Sequence, residues 1–253
     1  MKAKQRHDRI VAMVAEQGRA SVDVLAELLG ASRETIRRDL TVLADRALVR
    51  KVHGGAIPWK APGEDPFAAR MEKNRAAKLR IGRAAAGLFA AGDSLLVDTG
   101  STTIYFAEAL AEVSGLTVIT NARKVADAVA GGSGGSEAYL LGGRYLREAE
   151  QVVGPIAVEQ IQRFSADHAV LTVGAINAAA RFMDYNAEEA YVARAMIESA
   201  RLTTVLADSS KFERSALFEV AEAGRIGRIV TDAPPPAALA SALAAASVEI
   251  VIA

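Results

Sequence analysis

Residues 31–43 read ASRETIRRDLTVL, a segment that combines an apolar stripe with a basic face at helical spacing. Ile36, Leu40 and Leu43 recur at intervals of four and three residues, which predicts a buried stripe on a helix. Ser32 stands at the start of this pattern, where a hydroxyl can cap the first turn. We therefore predict a helix from Ser32 to about Arg46, with one face packed in a core.

The other face of this helix is polar and basic. Steps of about 100° per residue place Glu34, Arg38 and Thr41 opposite the apolar stripe, with Thr35 and Arg37 on its flanks. Guanidinium groups donate paired hydrogen bonds to guanine or bind phosphates. An isolated pair of arginines is more often a solvated helix face, so a prediction of DNA binding also depends on the neighbouring segments.

Two shorter helical patterns precede this helix. The first ends at Gly18, and its predicted buried stripe is Ile10, Met13 and Val14. The second begins after Ser21 as an N-cap and ends at Gly30. Its predicted buried residues are Val22, Leu25, Leu28 and Leu29. The tight break between Gly30 and Ser32 is typical of a helix-turn-helix, whose second helix enters the major groove.

A β-prone run over 48–57, LVRKVHGGAI, follows the third helix and is broken by two glycines. This pattern predicts the hairpin wing of a winged helix-turn-helix. Its cations would lie beside the DNA backbone or in an adjacent groove. The predicted DNA-binding residues are Ser32, Arg33, Glu34, Thr35, Arg37, Arg38, Thr41, Arg50, Lys51 and His53.

Charge is distributed unevenly along the chain. The net charge is zero, but residues 1–60 hold 12 Lys or Arg against 7 Asp or Glu, a net of +5, and the remainder holds 18 against 23, a net of −5. A basic N-terminal module joined to a domain that does not touch DNA would produce this asymmetry.

The composition of the chain argues against several other classes of protein. Hydrophobic residues make up 51% and charged residues 24% of the 253 residues, as in a globular protein, and no stretch reaches the ~18 uncharged apolar residues of a membrane helix. The apolar run 10–15 is too short for a signal peptide. Cysteine is absent, which excludes disulfides and thiolate chemistry and suits the cytoplasm, and three scattered histidines predict no metal site.

The chain is predicted to hold two domains joined by a linker. We predict a winged helix-turn-helix over 1–58, a linker over 59–74 whose stretch 58–66 is rich in Pro and Gly, and an α/β domain over 75–253. In the last of these, strand-like and helix-like segments alternate, which predicts a doubly wound, largely parallel sheet. The predicted strands are 95–98, 117–120, 138–141, 169–173, 203–207, 228–231 and 248–252. The predicted helices are 102–110, 123–129, 156–162, 187–200 and 235–245.

Several motifs of the chain resemble those of DeoR-family repressors and occur in the same order. The motifs are Ser32–Leu40, Arg50–Ala56, Asp98–Thr103, Thr120–Asn121, Gly142–Gly143 and Asp208–Lys211. The resemblance implies a C-terminal fold related to sugar-phosphate isomerases and a repressor that leaves its operator when a phosphorylated sugar binds. Within the family, Phe182–Tyr185 and Thr231–Pro236 are most similar to the branch that regulates glycerol-3-phosphate use.

Polar residues of the predicted sheet fall where its strands end, the edge at which doubly wound folds bind ligands. The loop Thr99–Thr103 offers hydroxyls and backbone N–H groups at a helix start, which suits a phosphate, and Lys211 could supply a point charge. The loop lacks a P-loop's Gly-Lys-Ser/Thr, so nucleotide hydrolysis is not indicated. Each residue alone also has a purely structural explanation: Thr102 could cap a helix, Asp208 could cap a turn, and Lys211 could be a solvated surface amine. The predicted effector-binding residues are Asp98, Gly100, Ser101, Thr102, Thr103, Thr120, Asn121, Gly142, Gly143, Asp184, Asp208 and Lys211.

We therefore expect a non-enzymatic, homodimeric or tetrameric repressor of a carbohydrate or polyol operon. It would bind operator DNA and a phosphorylated sugar or polyol, with no cofactor. Two alternatives remain. One is a phosphosugar isomerase-like enzyme, with Asp98, Asp208 or Glu188 as base and Lys211 as electrostatic partner. The other is an activator or architectural DNA-binding protein whose C-terminal domain only oligomerises.

Overall fold

The computed structural model describes residues 3–17, 19–45, 48–52, 54–58 and 65–253. The chain divides into two compact units, residues 1–65 and 66–253. Across the described residues, no helix combines the length and the apolar character needed to cross a membrane.

The first unit is a winged helix-turn-helix, as predicted. Its helices are α1 (Ala3–Gln17), α2 (Val22–Leu29) and α3 (Arg33–Asp45), and its strands are β1 (Ala20–Ser21), β2 (Val49–Val52) and β3 (Gly55–Pro58). Strand β3 lies between β1 and β2 and is antiparallel to both. The predicted wing is therefore the β2–β3 hairpin.

Local signals in the sequence set the helix ends in this unit. The Ser21 hydroxyl accepts a hydrogen bond from Val24 N at 3.2 Å, and that of Ser32 accepts one from Thr35 N at 3.1 Å. Gly30 ends α2 with a φ of 60°, a left-handed conformation that glycine adopts without strain. The predicted ends at Gly18 and Arg46 lie outside the described residues.

The core of the first unit includes the predicted stripe of α3. Ile36, Leu40 and Leu43 are buried together with residues of α1 and α2. The prediction that Leu28 is buried is wrong, because its side chain is 59% exposed. At 100° per residue, Leu28 points about 90° away from the stripe formed by the other apolar residues of α2.

The second unit contains a seven-stranded sheet and two small antiparallel sheets. Its helices are α4 (Phe67–Glu72), α5 (Arg75–Ala86), α6 (Ser101–Leu110), α7 (Arg123–Ala130), α8 (Pro155–Ile161), α9 (Ala187–Glu198) and α10 (Ala237–Ala245). Its strands are β4 (Ser94–Val97), β5 (Thr117–Thr120), β6 (Glu137–Leu140), β7 (Arg144–Leu146), β8 (Gln151–Val153), β9 (Ala166–Leu171), β10 (Ala175–Ile176), β11 (Arg181–Asp184), β12 (Ala200–Leu206), β13 (Phe218–Glu222), β14 (Arg228–Thr231) and β15 (Glu249–Ile252).

The large sheet is doubly wound, and all of its pairings are parallel. Its strand order is β15-β14-β12-β9-β4-β5-β6, which includes every strand predicted from the sequence. The chain runs outward from β4 to β6, returns to β9, and then runs outward in the opposite direction. The switch point between β4 and β9 is where a doubly wound sheet opens a crevice for ligands.

Helices cover both faces of this sheet. Leu95 and Val97 of β4 pack on one side in a cluster with Phe106 of α6, whereas Leu96 packs on the other side with Met196 of α9. Alternate side chains of a strand point to opposite faces, so a run of apolar residues is what a strand buried on both sides requires.

Helix α4 places the start of the second unit earlier than predicted. It lies inside the predicted linker, 59–74, yet Phe67 is only 4% exposed, and the Tyr105 hydroxyl donates a hydrogen bond to Met71 O at 2.9 Å. Because these contacts join α4 to α6, the compact unit begins at Pro66.

Candidate functional site

The loops that follow β4 and β9 meet at the switch point. The amide of Asp98, directly after β4, donates a hydrogen bond to Val170 O in β9 at 3.0 Å. A Cβ added to Gly100 would lie 2.1 Å from Thr172 Oγ1, so the two loops touch where only glycine fits. This close contact fixes the position at which helix α6 begins.

Helix α6 begins after a glycine N-cap, which offers no side chain to the amides of the first turn. Its N-cap is Gly100, and Ser101, Thr102 and Thr103 supply the next three amides, which have no acceptor within a helix. All three side chains are buried, and the Thr103 hydroxyl donates to Gly100 O at 3.0 Å. Amides at a helix N-terminus favour an anion.

A buried lysine lies beside this helix start. Lys78 of α5 is only 3% exposed, and its Nζ donates hydrogen bonds to Ser101 Oγ at 2.9 Å and to Arg70 O at 2.5 Å. The ammonium therefore brings a positive charge to the same place as the helix N-terminus. An ammonium and uncapped amides together form a cradle suited to a phosphate.

The packing of α5 explains why Lys78 is directed inward. Lys78, Ile81 and Ala85 recur at intervals of three and four residues and form the buried face of the helix. Gly82 lies on the same face, where an added Cβ would be 2.7 Å from Tyr105 C. This close approach of α5 to α6 places the lysine at the start of α6.

The loop after β5 brings the side-chain amide of Asn121 to the loop after β4. The Thr99 hydroxyl donates to Asn121 Oδ1 at 3.3 Å, and Asn121 Nδ2 donates to Val152 O at 3.2 Å. The Thr120 hydroxyl donates to Val97 O at 2.7 Å and accepts from Ala122 N at 3.0 Å. Asn121 thus joins the ends of β4 and β5, whereas Thr120 serves to hold the two strands together.

Asp98 is a buried carboxyl group in an acidic environment. It is 4% exposed, and burial raises the pKa of Asp98 well above its ordinary value. The charges of Glu189 and Asp184 raise this pKa further, whereas hydrogen bonds from Thr99 and Asn121 lower it. A carboxyl group in this setting can exchange hydrogen bonds with a hydroxyl of a bound ligand.

The two charges that raise the pKa of Asp98 come from strand β11, in one of the smaller sheets, and from helix α9. Asp184 ends β11 and accepts a hydrogen bond from Tyr185 N at 2.6 Å. Glu189 lies in α9, and its Oε1 accepts a hydrogen bond from Gln151 Nε2 in β8 at 2.8 Å. Two carboxylates therefore lie close enough to Asp98 to raise its pKa, whereas the ammonium of Lys78 lies at the start of α6.

Asp208, at the end of β12, is held in a turn. Its Oδ1 accepts hydrogen bonds from Ser210 N at 3.1 Å and from Asn74 Nδ2 at 2.8 Å, and the side chain is buried. Asn74 directly precedes α5, the helix that carries Lys78. Lys211 belongs to the same turn, and its side chain is half-buried.

The glycines that follow β6 lie further along the sheet edge. Gly142 and Gly143 are exposed, and the amide of Gly142 donates to Gln160 Oε1 in α8 at 2.8 Å. A Cβ added to Gly143 would lie 2.7 Å from Val152 Cγ1, and the carbonyl of Val152 accepts the hydrogen bond from Asn121 Nδ2. The role of these two glycines in effector binding stays a prediction.

In the first unit, α3 presents its predicted polar face to solvent. The exposed predicted residues of this helix and of its cap are Ser32, Arg33, Glu34, Arg37, Arg38 and Thr41, and Thr35 is half-buried. Two of the arginines pair with Glu34, with Arg38 Nε at 3.3 Å from Oε1 and Arg37 Nη1 at 3.9 Å from Oε2. Such exposed pairs are worth about 0–1 kcal/mol, so the arginines can exchange this partner for DNA at little cost.

The wing carries its cations beside α3. Arg50 and Lys51 are exposed on β2, and Lys51 Nζ donates a hydrogen bond to Thr41 Oγ1 in α3 at 2.9 Å. This contact joins the wing to the helix that bears the arginines. The third predicted wing residue, His53, lies outside the described residues.

Family models match both units. The model of the DeoR-like helix-turn-helix domain matches residues 6–60, and that of the DeoR C-terminal sensor domain matches residues 73–233. The chain belongs to the DeoR family. The predicted family is thereby confirmed, and the two units of this DeoR-family protein are a helix-turn-helix DNA-binding domain and a sensor domain.

Curated relatives are similar over nearly the whole chain. The HTH-type transcriptional repressor CsqR of Escherichia coli (strain K12) is 32% identical, covering 98% of this chain and 94% of the relative. The glycerol-3-phosphate regulon repressor of the same strain is 31% identical, covering 96% of each chain. Among solved structures, ribose 5-phosphate isomerase A from Methanocaldococcus jannaschii matches at a TM-score of 0.40 and 16% identity, over 55% of each chain.

Sequence reasoning missed several polar residues around the candidate effector site. They are Asn74, Lys78, Gln151 and Glu189. A signal for Lys78 exists, because a lysine on the apolar stripe of an amphipathic helix must be paired or functional. Gln151 and Glu189 reach the site only through the folding of β8 and α9, which no local pattern indicates.

Proposed function

We propose that this protein is a transcriptional repressor of a carbohydrate or polyol catabolic operon and that a phosphorylated sugar or polyol releases it from its operator. The single observation that carries the effector half of this proposal is the buried ammonium of Lys78, 2.9 Å from Ser101 Oγ at the uncapped start of α6. The names of the relatives support repression, since both are repressors and one governs the glycerol-3-phosphate regulon.

The phosphate of the effector would bind at the start of α6. Its oxygens would accept hydrogen bonds from the amides of residues 101–103 and from Lys78, and the Ser101 and Thr102 hydroxyls are close enough to contribute. A dianion placed there gains from the helix dipole and from the lysine charge together. This arrangement discriminates against an unphosphorylated sugar.

The hydroxyls of the effector would then face the polar side of the site. Asp98, Asn121 and Asp184 offer oxygens that accept hydrogen bonds and an amide that donates one. A polyhydroxylated ligand can add hydrogen bonds to these buried groups, whereas an apolar tail cannot. The preferred class is therefore a sugar or polyol that carries one phosphate.

Repression requires that the two units be coupled. We propose that the protein acts as a homodimer or tetramer, which presents two copies of α3 to two half-sites of an operator. If the effector binds better to a form whose half-site spacing does not match the operator, it lowers DNA affinity by mass action. A protein with this function acts in the cytoplasm of a bacterial cell, where the DNA is.

One observation favours a second candidate, a phosphosugar isomerase-like enzyme. A buried Asp98 with a raised pKa beside Glu189 is also suitable material for proton transfer. A DNA-binding unit adds nothing to such a reaction, so our proposal includes no catalytic step. Incubation with sugar phosphates in deuterated water distinguishes the two, since only an isomerase exchanges carbon-bound hydrogen.

A thermal-shift screen against phosphorylated and unphosphorylated sugars and polyols tests the effector half of the proposal. A ligand at a hundred times its dissociation constant stabilises the protein by about 2.7 kcal/mol. We expect stabilisation by at least one phosphorylated compound and none by its unphosphorylated counterpart. A screen in which no phosphorylated compound stabilises the protein, or in which both forms do so equally, contradicts the assignment.

A further inference from the structure

An ion pair links the first helix of the DNA-binding unit to the middle of α3. Arg6 Nε lies 2.5 Å from Asp39 Oδ2, and Arg6 Nη2 lies 3.1 Å from Asp39 Oδ1. His7 Nε2 lies 2.8 Å from the same Oδ1. The side chains of Arg6, His7 and Asp39 are only 14%, 16% and 9% exposed, so this cluster is largely withdrawn from solvent.

Asp39 stays ionised in this setting. Burial raises the pKa of Asp39, but the hydrogen bonds and charges of Arg6 and His7 outweigh burial, and the net pKa lies below the ordinary value. The carboxylate therefore lies in α3 as a neutralised charge, directly after the two arginines that face the proposed DNA surface. Without Arg6 it would repel the phosphates that Arg37 and Arg38 are proposed to approach.

The cluster also fixes the rotation of α3 relative to α1, which the apolar core contacts alone do not fix. The core between α1 and α3 is aliphatic, with Ile10 and Val14 from one helix and Ile36 and Leu40 from the other. Aliphatic contacts have no direction, whereas a guanidinium that binds a carboxylate through two nitrogens fixes both distance and angle. Asp39 directly follows Arg38 in the sequence. A rotation of α3 that broke the Arg6–Asp39 pair would therefore also turn Arg37 and Arg38.

We propose that Arg6 and Asp39 are positioning residues, whose ion pair sets the rotation of α3 and so supports discrimination between DNA sequences more than general attraction to DNA. This inference rests on the proposed role of α3 in DNA binding. Buried ion pairs often add little net stability but can impose a unique arrangement, which is the property required here. Neither residue needs to touch DNA.

The test uses the full-length protein and two DNA duplexes. One is enriched by the wild-type protein from a randomised pool, and the other is a scrambled duplex of the same composition. The variants are Asp39→Asn, which removes the charge, and Arg6→Lys, which keeps the charge but loses the two-nitrogen geometry. The matched controls are Asp8→Asn and Arg9→Lys, since both residues are exposed on α1.

We expect Asp39→Asn to lower the ratio of affinities for the enriched and scrambled duplexes roughly tenfold, the size of one mismatched base pair. Arg6→Lys should lower it by a smaller factor, and the double variant should be no worse than Asp39→Asn alone. For Arg6→Lys, binding to the scrambled duplex and its salt dependence should stay as in wild type, because the net charge is unchanged. The ratios of both controls should also stay as in wild type.

Three outcomes overturn the inference. In the first, both duplexes lose affinity equally, which indicates a direct phosphate contact by Arg6. In the second, Arg6→Lys has the same ratio of affinities for the two duplexes as wild type. Thermal unfolding verifies that Arg6→Lys is folded, so this outcome counts even if Asp39→Asn does not fold. In the third, the effects of the two substitutions add. A wild-type protein that enriches no duplex contradicts the proposed function itself, which is a distinguishable failure.

Discussion

The ammonium of Lys78 lies 2.9 Å from the hydroxyl oxygen of Ser101, the first residue of helix α6. The pair joins a buried cation on one helix to the N-terminus of another, at the switch point of a parallel sheet. The buried carboxyl groups of Asp98 and Asp184 give the adjoining part of the site an acidic character. A ligand with an anionic end and a hydroxylated end matches this division of charge.

Lys78→Met should reduce the preference for phosphorylated ligands. A hydrogen bond to a charged group contributes about 1.5–3 kcal/mol, so we expect binding of the phosphorylated ligand to weaken at least about tenfold. Calorimetric titration of the best compound from the screen measures this loss. Arg80→Met, at an exposed position of the same helix, is the matched control and should bind as wild type. Equal affinities of Lys78→Met and wild type would rule out the lysine as a phosphate ligand.

Gly100→Ala should destabilise the sensor domain. The added Cβ would lie 2.1 Å from Thr172 Oγ1, and relief of such overpacking costs about 1–3 kcal/mol. Urea unfolding gives the free energy of unfolding for the variant and for Gly224→Ala, where the added Cβ meets nothing within 4 Å. If the two variants unfold at the same urea concentration, the loops after β4 and β9 are not in close contact.

Asp98→Asn should change how stability depends on pH. The folded protein holds the pKa of Asp98 above its ordinary 3.8, chiefly through burial, so folding favours the protonated form. The contribution of this group to stability is full below 3.8 and is lost as the pH rises through the folded pKa. Asparagine resembles the protonated acid at every pH.

The ligand-free Asp98→Asn variant is therefore expected to be more stable than wild type at pH 7, with the difference shrinking toward pH 4. Urea unfolding of both proteins between pH 4 and pH 8 measures this difference. A difference that is constant across this range, or that grows as the pH falls, would contradict the burial of an ionisable Asp98.

Arg37→Met and Arg38→Met should weaken DNA binding in ways that reveal what each arginine contacts. Loss of a phosphate contact reduces the slope of log affinity against log salt by about 0.9. Loss of a base contact costs about 1–3 kcal/mol and relaxes the preference at one base pair. Fluorescence anisotropy at several salt concentrations separates these effects. Arg163→Met, an exposed arginine of the sensor domain, should leave both quantities unchanged.

Much of the fold follows from local patterns in the sequence. The Ser32 cap, the Gly30 stop and the Ile36 stripe each act within one or two turns, so the helix-turn-helix is predictable from short segments. Most of the seven parallel strands are apolar runs bounded by glycine or polar residues, whereas the edge strand β6 (Glu137–Leu140) is mostly exposed. Their loops mark the switch-point edge because parallel strands all end on the same side.

The remaining features depend on contacts distant in sequence. Strand β11 pairs with β13, more than thirty residues later, and nothing local in Arg181–Asp184 indicates a partner. Lys78 interrupts the apolar stripe of helix α5, so the sequence pattern does not predict this helix. The prediction for Leu28 is wrong because hydrophobicity alone does not tell which side of the short helix α2 is covered. The same limit applies to Glu189, whose position beside Asp98 depends on how α9 packs.

The most direct test of the account is the affinity for the enriched duplex, measured while a phosphorylated ligand from the screen is added. The account predicts that affinity falls over the concentration range in which the ligand binds, and that DNA lowers ligand affinity by the same factor. Lys78→Met should still bind the duplex but should not respond to these concentrations. A ligand that saturates the sensor domain and leaves DNA affinity unchanged would contradict the account.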